Sequence, residues 1–280
     1  MKTLLEILNL SVEHLKKKGV DEPRLSSELI ITYVLNIKRL DIYLQFERVL
    51  TEEEISKIRA LLKRRSEHEP IQYILGETEF YGLKFSVDQS VLIPRSDTEI
   101  LVQTAVEYIA DKPLSIFEIG TGSGCISISL AKKCKNVNII SCDISDQARK
   151  LAASNAKLNG VAEKIRFINM DILKKFPDSK FNVIISNPPY ISKTVIGSLD
   201  KQVKDFEPLG ALTDGGDGLT FYRRINEIIP EILNTGGSVF LEIGYDQAES
   251  VRNIFEKSLK DIKIMRDYSG NNRVFTGKLE

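Results

Sequence analysis

The chain has 280 residues, with 39 Lys or Arg against 39 Asp or Glu, and its formal net charge is zero. A neutral chain has no overall electrostatic attraction to nucleic acid, so we expect no direct nucleic-acid binding. No apolar run is long enough to span a bilayer, and charges come too early for a secretory signal. We therefore expect no membrane partner and a cytoplasmic location.

The cysteines and histidines argue against a metal site. Cys125, Cys134 and Cys142 are odd in number and lack C-x-x-C spacing, which disfavours a disulfide framework or a zinc site. We interpret them as reduced core residues. His14 and His68 lack ligand spacing and are predicted to be surface residues, so no metal ligands are assigned.

The length of the chain permits two cores, one of them small. Helical spacing dominates the first part of the chain. Apolar residues recur every three or four positions from Leu4 to Leu15, and Gly19 would end this helix. A second helix is predicted from Arg24 to Leu35. A third, from Glu52 to Arg65, opens with a Thr-x-x-Glu capping box. We predict a small N-terminal helical domain over residues 1–70.

An aromatic, alternating pattern from Ile71 to Leu92, with two glycines as turns, predicts a β-hairpin. We assign residues 71–95 to a linker built on this hairpin. Ser96 and Glu99 then form another capping-box pattern, ahead of a helix predicted from Ile100 to Ala110.

Residues 96–280 are predicted to form a doubly wound α/β domain with a mostly parallel sheet. Apolar strands near positions 114, 137, 165, 181, 238 and 261 alternate with helical stretches, which is typical of that fold class. A last run from Arg273 to Lys278 follows a Ser-Gly-Asn-Asn turn and suggests a hairpin with a seventh strand. Ligands in such sheets bind beyond the carboxyl ends of the strands, where the strand order reverses.

The first strand of this domain runs into the turn Gly120-Thr121-Gly122-Ser123-Gly124, and a helical pattern follows. Three glycines permit a tight turn and a close approach of a ligand to bare backbone at a helix start. The spacing differs from the dinucleotide fingerprint and lacks the P-loop lysine, which disfavours NAD and ATP. We predict a nucleotide-like ligand here, with a purely structural turn as the alternative.

Acidic residues end the next two strands. Asp143 is placed to accept hydrogen bonds from ribose hydroxyls, although an Asp before a helix can also be a simple cap. Asp171 and Ile172 follow the third strand. They suit a hydrogen bond to an adenine amino group beside an apolar contact.

The fourth strand is followed by Asn187-Pro188-Pro189-Tyr190. Proline has no backbone N–H, so this turn presents carbonyl oxygens, and the Asn187 amide oxygen adds another acceptor. An NH₂ group would meet only acceptors, and Tyr190 could lay its ring over a flat substrate. The alternative is an ordinary polar turn. The glycine-rich stretch 191–218 is long for a connection and is predicted to be a mobile flap.

Together these strand ends resemble the class I S-adenosylmethionine-dependent methyltransferases. A narrower resemblance is to the HemK-type release factor glutamine methyltransferases, and it spans most of the chain. Amino-methylating DNA enzymes share the Asn-Pro-Pro-Tyr turn but lack the block from Glu69 to Glu99. Ser96 departs from the family pattern, in which proline is expected. The stretches that carry the narrower resemblance are Glu69–Gly76, Phe80–Leu83, Leu92–Arg95 with Thr98 and Glu99, the glycine turn, Asn187–Ile191, and Glu207-Pro208 with Ala211-Leu212.

The resemblance implies a seven-stranded methyltransferase sheet with its last strand inserted antiparallel. It also implies S-adenosylmethionine as cofactor, bound by the glycine turn, Asp143, Asp171, Ile172 and Asn187. The implied reaction methylates the side-chain amide nitrogen (N5) of the glutamine in the Gly-Gly-Gln motif of class I peptide chain release factors. Asn187, Pro188, Pro189 and Tyr190 would bind that amide and carry the catalysis. The first part of the chain resembles the family only in helical character, and it is our own hypothesis that residues 1–70 dock the release factor.

Three other functions stay open at this point. An adenine-N6 nucleic-acid methyltransferase would use the same acceptors, with Tyr190 stacking a flipped base. An NAD oxidoreductase shares the fold class, although it should show the dinucleotide fingerprint. A non-catalytic binding module is the third alternative.

Overall fold

The computed structural model describes residues 2–280, which form two compact units. The first unit comprises the chain up to Gly76 together with Asp200–Phe206, and the second comprises Glu77–Leu199 and Glu207–Glu280. The helices are α1 (Leu4–Lys17), α2 (Pro23–Leu35), α3 (Arg39–Leu44), α4 (Glu52–Ser66), α5 (Ile71–Leu75), α6 (Thr98–Ile109), α7 (Cys125–Lys133), α8 (Asp146–Leu158), α9 (Lys201–Phe206), α10 (Leu209–Leu212), α11 (Thr220–Ile232) and α12 (Ala248–Phe255). The strands are β1 (Glu77–Phe80), β2 (Leu83–Ser86), β3 (Leu114–Ile119), β4 (Val137–Asp143), β5 (Ile165–Asn169), β6 (Phe181–Ser186), β7 (Leu233–Glu242), β8 (Lys260–Arg266) and β9 (Asn272–Lys278).

The first unit is helical, and α1, α2 and α4 confirm the three helices predicted there. Gly19, at φ +70°, ends α1 in a Schellman motif, because its N–H and that of Val20 donate to the Lys16 and Leu15 carbonyls. The capping box at the start of α4 is present as predicted. Short helix α3 was not predicted. The helices bury one apolar core, which includes Leu4, Leu8, Leu15, Ile30, Ile31, Ile42, Leu50, Ile55 and Ile58.

The β-hairpin is shorter than predicted. It spans only Glu77–Ser86, whose strands pair antiparallel around the turn Tyr81-Gly82, and both turn residues have positive φ. The prediction of hairpin from Ile71 onward is wrong for Ile71–Leu75, which form α5. Gly76 at φ +75° ends that helix. A five-residue apolar stretch cannot be assigned to helix or strand by periodicity alone.

The predicted Ser96–Glu99 capping box is wrong. Helix α6 begins at Thr98, with Asp97 at its N-cap and no side-chain capping bond. The Glu99 carboxylate instead accepts a hydrogen bond from the Tyr81 backbone N–H at 2.7 Å. A tertiary contact with the hairpin thus replaces the local one.

The second unit is built on a seven-stranded sheet of order β5-β4-β3-β6-β7-β9-β8. Strands β3 to β7 run parallel, and β9 is inserted antiparallel between β7 and β8, which confirms the predicted fold class. The strand order reverses between β3 and β6. Buried apolar clusters cover both faces of the sheet. This arrangement places the ends of β3, β4, β5 and β6 along one edge.

No helix within residues 2–280 is long and apolar enough to cross a membrane. The same residues contain no group of His, Cys, Asp and Glu placed to hold a metal ion. Cys134 and Cys142 are buried, Cys125 is half-buried, and all three are free thiols. His14 is exposed, whereas His68 is half-buried.

Candidate active site

The glycine turn connects β3 to α7, and each glycine in it has positive φ: +83° at Gly120, +52° at Gly122 and +81° at Gly124. A Cβ at Gly124 would lie 2.9 Å from Ile128 Cδ1 and 3.1 Å from Ala152 Cβ, so this position needs glycine for helix packing. Such backbone favours glycine at all three positions.

Most backbone N–H groups of the turn already donate hydrogen bonds within the protein. Gly120 and Thr121 both donate to the Cys142 carbonyl, at 2.9 and 3.0 Å, and Gly124 donates to the Thr121 carbonyl at 2.8 Å. Gly122 donates to Asp143 Oδ2 at 2.9 Å. The turn therefore offers a ligand bare backbone surface rather than the amides of these four residues.

A buried carboxyl lies beneath the turn. Glu118 is fully buried, and its Oε2 accepts a hydrogen bond from the Ser141 hydroxyl, which is itself 2.6 Å from Thr121 Oγ1. Since the Ser141 hydroxyl donates its one hydrogen to Glu118, the Thr121 hydroxyl is the donor in its hydrogen bond with Ser141. Burial raises the pKa of Glu118 to about 7, against hydrogen bonds from Ser141 and Ser127. This chain ties the turn to β3 and β4.

Asp143, at the carboxyl end of β4, is held by two backbone amides. Its Oδ2 accepts from Gly122, and its Oδ1 accepts from Ser145 at 2.9 Å. The cap of α8 is Ser145, whose hydroxyl accepts from Ala148, so Asp143 is not that cap. Each carboxylate oxygen keeps further lone-pair capacity that hydroxyl groups could use.

Asp171 and Ile172 follow β5 and lie beside the same strand ends. Asp171 accepts from the Leu173 amide at 3.1 Å and pairs with Lys174 at 3.1 Å. Ile172 is buried, and its carbonyl accepts from Arg224 at 2.8 Å. The contact with Arg224 was not predicted, and it fixes the backbone that carries both residues.

The Asn-Pro-Pro-Tyr turn begins directly after β6. Ile119 and Ser186 are paired in the β3–β6 register, so the next residues, Gly120 and Asn187, lie side by side. The Asn187 side-chain Nδ2 donates to the Thr98 hydroxyl at 3.2 Å. Because this hydrogen bond occupies the nitrogen branch of the amide, Oδ1 is left to accept hydrogen bonds from elsewhere. Thr98 was not among the predicted site residues.

Tyr190, the last residue of the turn, is directed into the protein. Its hydroxyl donates to Oε1 of the buried Glu242 at 3.2 Å, and burial raises the pKa of Tyr190 well above its usual value. Its ring packs with an apolar cluster that includes residues of β7, α11 and α12. The structure therefore turns the Tyr190 side chain toward Glu242, a residue that was also not predicted.

One cavity of about 510 Å³ joins most of the predicted site residues, and this size is usual for small-molecule sites. Tyr190 and Gly124 lie outside its lining. Arg95, Thr98, Met170 and Phe221 line it without having been predicted. The predicted residues that line the cavity are Gly120, Thr121, Gly122, Ser123, Asp143, Asp171, Ile172, Asn187, Pro188 and Pro189.

An ion pair fixes one wall of the cavity. Arg95 pairs with Glu207, whose side chain is 1 % exposed, and Pro208, Gly210 and Ala211 next to it belong to the lining. Burial raises the pKa of Glu207, and Arg95 opposes the rise. The pair therefore ties the stretch predicted as a flap to the loop before α6.

Comparison with solved structures shows the methyltransferase fold. The hMettl16 catalytic domain matches with a TM-score of 0.58 and 13% identity, over 82% of this chain and 83% of that chain. A methyltransferase from Pyrococcus furiosus matches with a TM-score of 0.52 and 17% identity, over 71% and 90%. These matches show that the chain has the class I methyltransferase fold.

Sequence relatives narrow the class to a family. A release factor glutamine methyltransferase from Fusobacterium nucleatum is 43% identical over 278 residues, covering 98% of this chain and 78% of that protein. Its counterpart from Chlorobaculum tepidum is 39% identical over 97% of this chain and 95% of its own length. Family models described as PrmC N-terminal domain and Methyltransferase small domain match residues 6–76 and 96–203. The chain belongs to the release factor glutamine methyltransferase family, and the adenine-N6 alternative is not favoured.

Proposed function

We propose that this enzyme transfers a methyl group from S-adenosylmethionine to the side-chain amide nitrogen of the glutamine in the Gly-Gly-Gln motif of class I release factors. The observation that carries the proposal is the single cavity that unites the glycine turn and Asp143 with Asn187 and its two prolines. Family membership supplies the reaction type. The acceptor-rich turn supplies a place for a planar amide.

The residues present suit S-adenosylmethionine. Asp143 would accept hydrogen bonds from the ribose hydroxyls, using the lone pairs that its two backbone donors leave free. Asp171 would accept a hydrogen bond from the adenine amino group, and Ile172 would contact the adenine ring. The bare surface of Gly120 and Gly122 would accommodate the methionine part. When bound, this cofactor supplies an electrophilic methyl group on a sulfonium centre.

The protein's contribution to the reaction is orientation of a poor nucleophile. A primary amide nitrogen is weakly nucleophilic because its lone pair is delocalised into the carbonyl. In our proposal, Asn187 Oδ1 and the Pro188 carbonyl accept the two amide hydrogens and turn the nitrogen toward the methyl donor. Once the nitrogen is methylated, one of these hydrogens leaves as a proton to water. Pro189 keeps a competing N–H donor out of the turn. Positioned acceptors of this kind carry most of the acceleration.

The helical unit provides a surface for the release factor in this proposal. Between α1 and α4 lies a groove of about 630 Å³ with an apolar floor that includes Ile55 and Ile58. Its rim is mostly basic, with Lys2, His14, Lys18, Arg59 and Lys63. A mixed apolar and cationic groove suits an acidic protein segment. We assign docking of the release factor to residues 1–70 and catalysis to residues 96–280. Residues 71–95, which contain α5 and the hairpin, link the two. We propose that the enzyme acts in the cytoplasm.

Mass spectrometry of a release factor after incubation with the enzyme and methyl donor tests the proposal. We expect a gain of one methyl group that maps to the glutamine of the Gly-Gly-Gln motif. A release factor with that glutamine changed to alanine should gain none. Methylation elsewhere on the protein, or of DNA or RNA but not of the release factor, would reject the proposal.

A further inference from the structure

Glu242 is a buried carboxyl directly behind the Asn-Pro-Pro-Tyr turn. It ends β7, is 1 % exposed, and follows the fully or almost fully buried apolar run Val239-Phe240-Leu241. Its Oε1 accepts from the Tyr190 hydroxyl at 3.2 Å, whereas Oε2 is buried without a hydrogen-bond partner among the described residues. A buried carboxyl oxygen without a donor is costly, so Oε2 needs a hydrogen from a neighbouring group.

Thr98 connects the same carboxyl to the other end of the turn. It is 2 % exposed, its hydroxyl accepts the Asn187 Nδ2 hydrogen at 3.2 Å, and it is among the groups that oppose the rise in the pKa of Glu242. A hydroxyl has one hydrogen, so Thr98 can accept from Asn187 and direct that hydrogen toward Glu242. This polarity keeps the nitrogen branch of Asn187 on Thr98 and its oxygen branch facing the substrate.

We infer that Glu242 is a positioning residue that orders the methyl-acceptor turn at both ends, through Tyr190 directly and through Thr98 to Asn187. The inference rests on the proposed function, since it assigns the Asn187 oxygen to the substrate amide. Glu242 lies outside the cavity lining and touches neither reactant in this arrangement. Its effect is therefore on turnover rather than on cofactor binding.

The protonation state of Glu242 adds a second readout. Burial raises its pKa to about 7, opposed by Thr98, Arg273 and Tyr190 and reinforced by the negative charge of Asp97. Arg273 is itself held by Asp97 at 3.0 Å and by Asp267 at 3.1 Å. The ionised carboxylate only accepts hydrogen bonds, whereas the protonated form must donate one. Turnover should therefore rise with pH through about 7.

A double-mutant cycle with Glu242→Gln and Thr98→Val tests the inference at saturating cofactor and a Gly-Gly-Gln peptide. Each single variant should lower kcat about 10- to 100-fold, as for a misplaced reacting group. Adenosylhomocysteine affinity of Glu242→Gln should stay within about threefold of wild type. The double variant should be no slower than the slower single variant, because both substitutions interrupt the same connection between Glu242 and Asn187. The rise in kcat near pH 7 should weaken in Glu242→Gln.

Exposed Glu249, on α12, offers the matched control. Glu249→Gln makes the same chemical change and should leave kcat and its pH profile unaltered. Wild-type kcat and profile in folded Glu242→Gln, or additive losses in the cycle, would overturn the inference. If Glu242→Gln fails to fold, Thr98→Val with wild-type kcat overturns it instead. Failure of the proposed function is distinguishable, because the wild-type enzyme would then leave the glutamine unmethylated.

Discussion

Gly120 and Asn187 lie close enough that a Cβ added to Gly120 would be 3.8 Å from the Asn187 carbonyl oxygen. The two residues end neighbouring parallel strands, so the cofactor half and the acceptor half of the site meet at one point of the sheet. Substitution at Asn187 should therefore affect methyl transfer directly.

Replacing Asn187 with alanine removes the acceptor that we assign to the substrate amide. We expect kcat to fall about 10²- to 10³-fold, or roughly 2.7–4 kcal/mol, by analogy with a lost oxyanion-hole contact. Single-turnover kinetics with a Gly-Gly-Gln peptide measure the loss. Exposed Asn253 on α12 provides the control, since Asn253→Ala should be unaffected. Near-normal turnover in Asn187→Ala would contradict the proposed mechanism.

Asp143 should determine cofactor affinity. Its carboxylate accepts from Gly122 and Ser145, and the remaining lone pairs are those that we assign to the ribose. We expect Asp143→Ala to weaken adenosylhomocysteine binding about 10- to 100-fold, since hydrogen bonds to charged groups contribute roughly 1.5–3 kcal/mol. Isothermal titration calorimetry checks this.

Asp143→Asn separates binding from folding, because an amide keeps one acceptor oxygen but replaces the other with a donor. It should lose less affinity than the alanine variant. Equal affinity in wild type and both variants would show that Asp143 serves only the two backbone amides.

Glu118 should make the stability of the protein depend on pH. Its pKa is raised to about 7 in the folded protein, whereas an unfolded glutamate titrates near 4.5. Between these values the folded state binds the extra proton, so this group's stabilisation is fully present below about 4.5 and is lost as pH rises through 7.

Glu118→Gln removes that titration. The unfolding free energy of the variant relative to wild type should therefore rise from pH 5 to 7 and level off above it. Urea unfolding at several pH values measures the difference, with the exposed Glu249→Gln as control. A difference that stays constant with pH would show that Glu118 does not titrate in this range.

The strand-end residues were predictable because their placement follows from the sheet. Parallel strands β3 to β6 end at one edge, so residues just after them meet whatever the rest of the chain does. Gly120, Asp143 and Asn187 were found in this way.

Thr98 and Glu242 were missed because their contacts with Asn187 and Tyr190 span 89 and 52 positions along the chain. Only the folded arrangement brings them together. A signal was present, however, since Glu242 continues a strongly apolar strand and a carboxyl there needs a partner. Glu118 stands in the same way between Phe117 and Ile119. The hairpin error arose because the short stretch Ile71–Leu75 fits a helix as well as a strand. The capping-box error arose because the Glu99 carboxylate accepts a hydrogen bond from the distant Tyr81 backbone instead of capping its own helix.

The Arg95–Glu207 pair should hold the 207–212 wall of the cavity. Arg95→Ala leaves Glu207 buried without its cation. We expect the free energy of unfolding to fall by about 1–2 kcal/mol. This is less than for a fully buried pair, because Arg95 is 38 % exposed. Chemical denaturation of the second unit measures it.

The double variant Arg95→Ala with Glu207→Gln removes the buried charge as well. It should recover most of the unfolding free energy that is lost in the single variant. Equal stability in wild type and Arg95→Ala would show that the pair contributes nothing.

The basic groove of the helical unit should govern recognition of the whole release factor but not of a short peptide. Lys18, Arg59 and Lys63 are exposed on its rim, and reversing them to glutamate would repel the acidic segment that we propose binds there. We expect KM for the full-length release factor to rise about tenfold, with a weaker salt dependence of kcat/KM. KM for a Gly-Gly-Gln peptide should stay the same.

Reversal of Lys257, Lys260 and Lys263, three exposed lysines of the second unit, changes the net charge equally and should leave both values unaltered. An equal rise of KM for protein and peptide in the groove variant would mean that the substitutions disturb the enzyme as a whole. An equal effect of both charge reversals would mean that long-range attraction, rather than docking in this groove, brings the release factor to the enzyme.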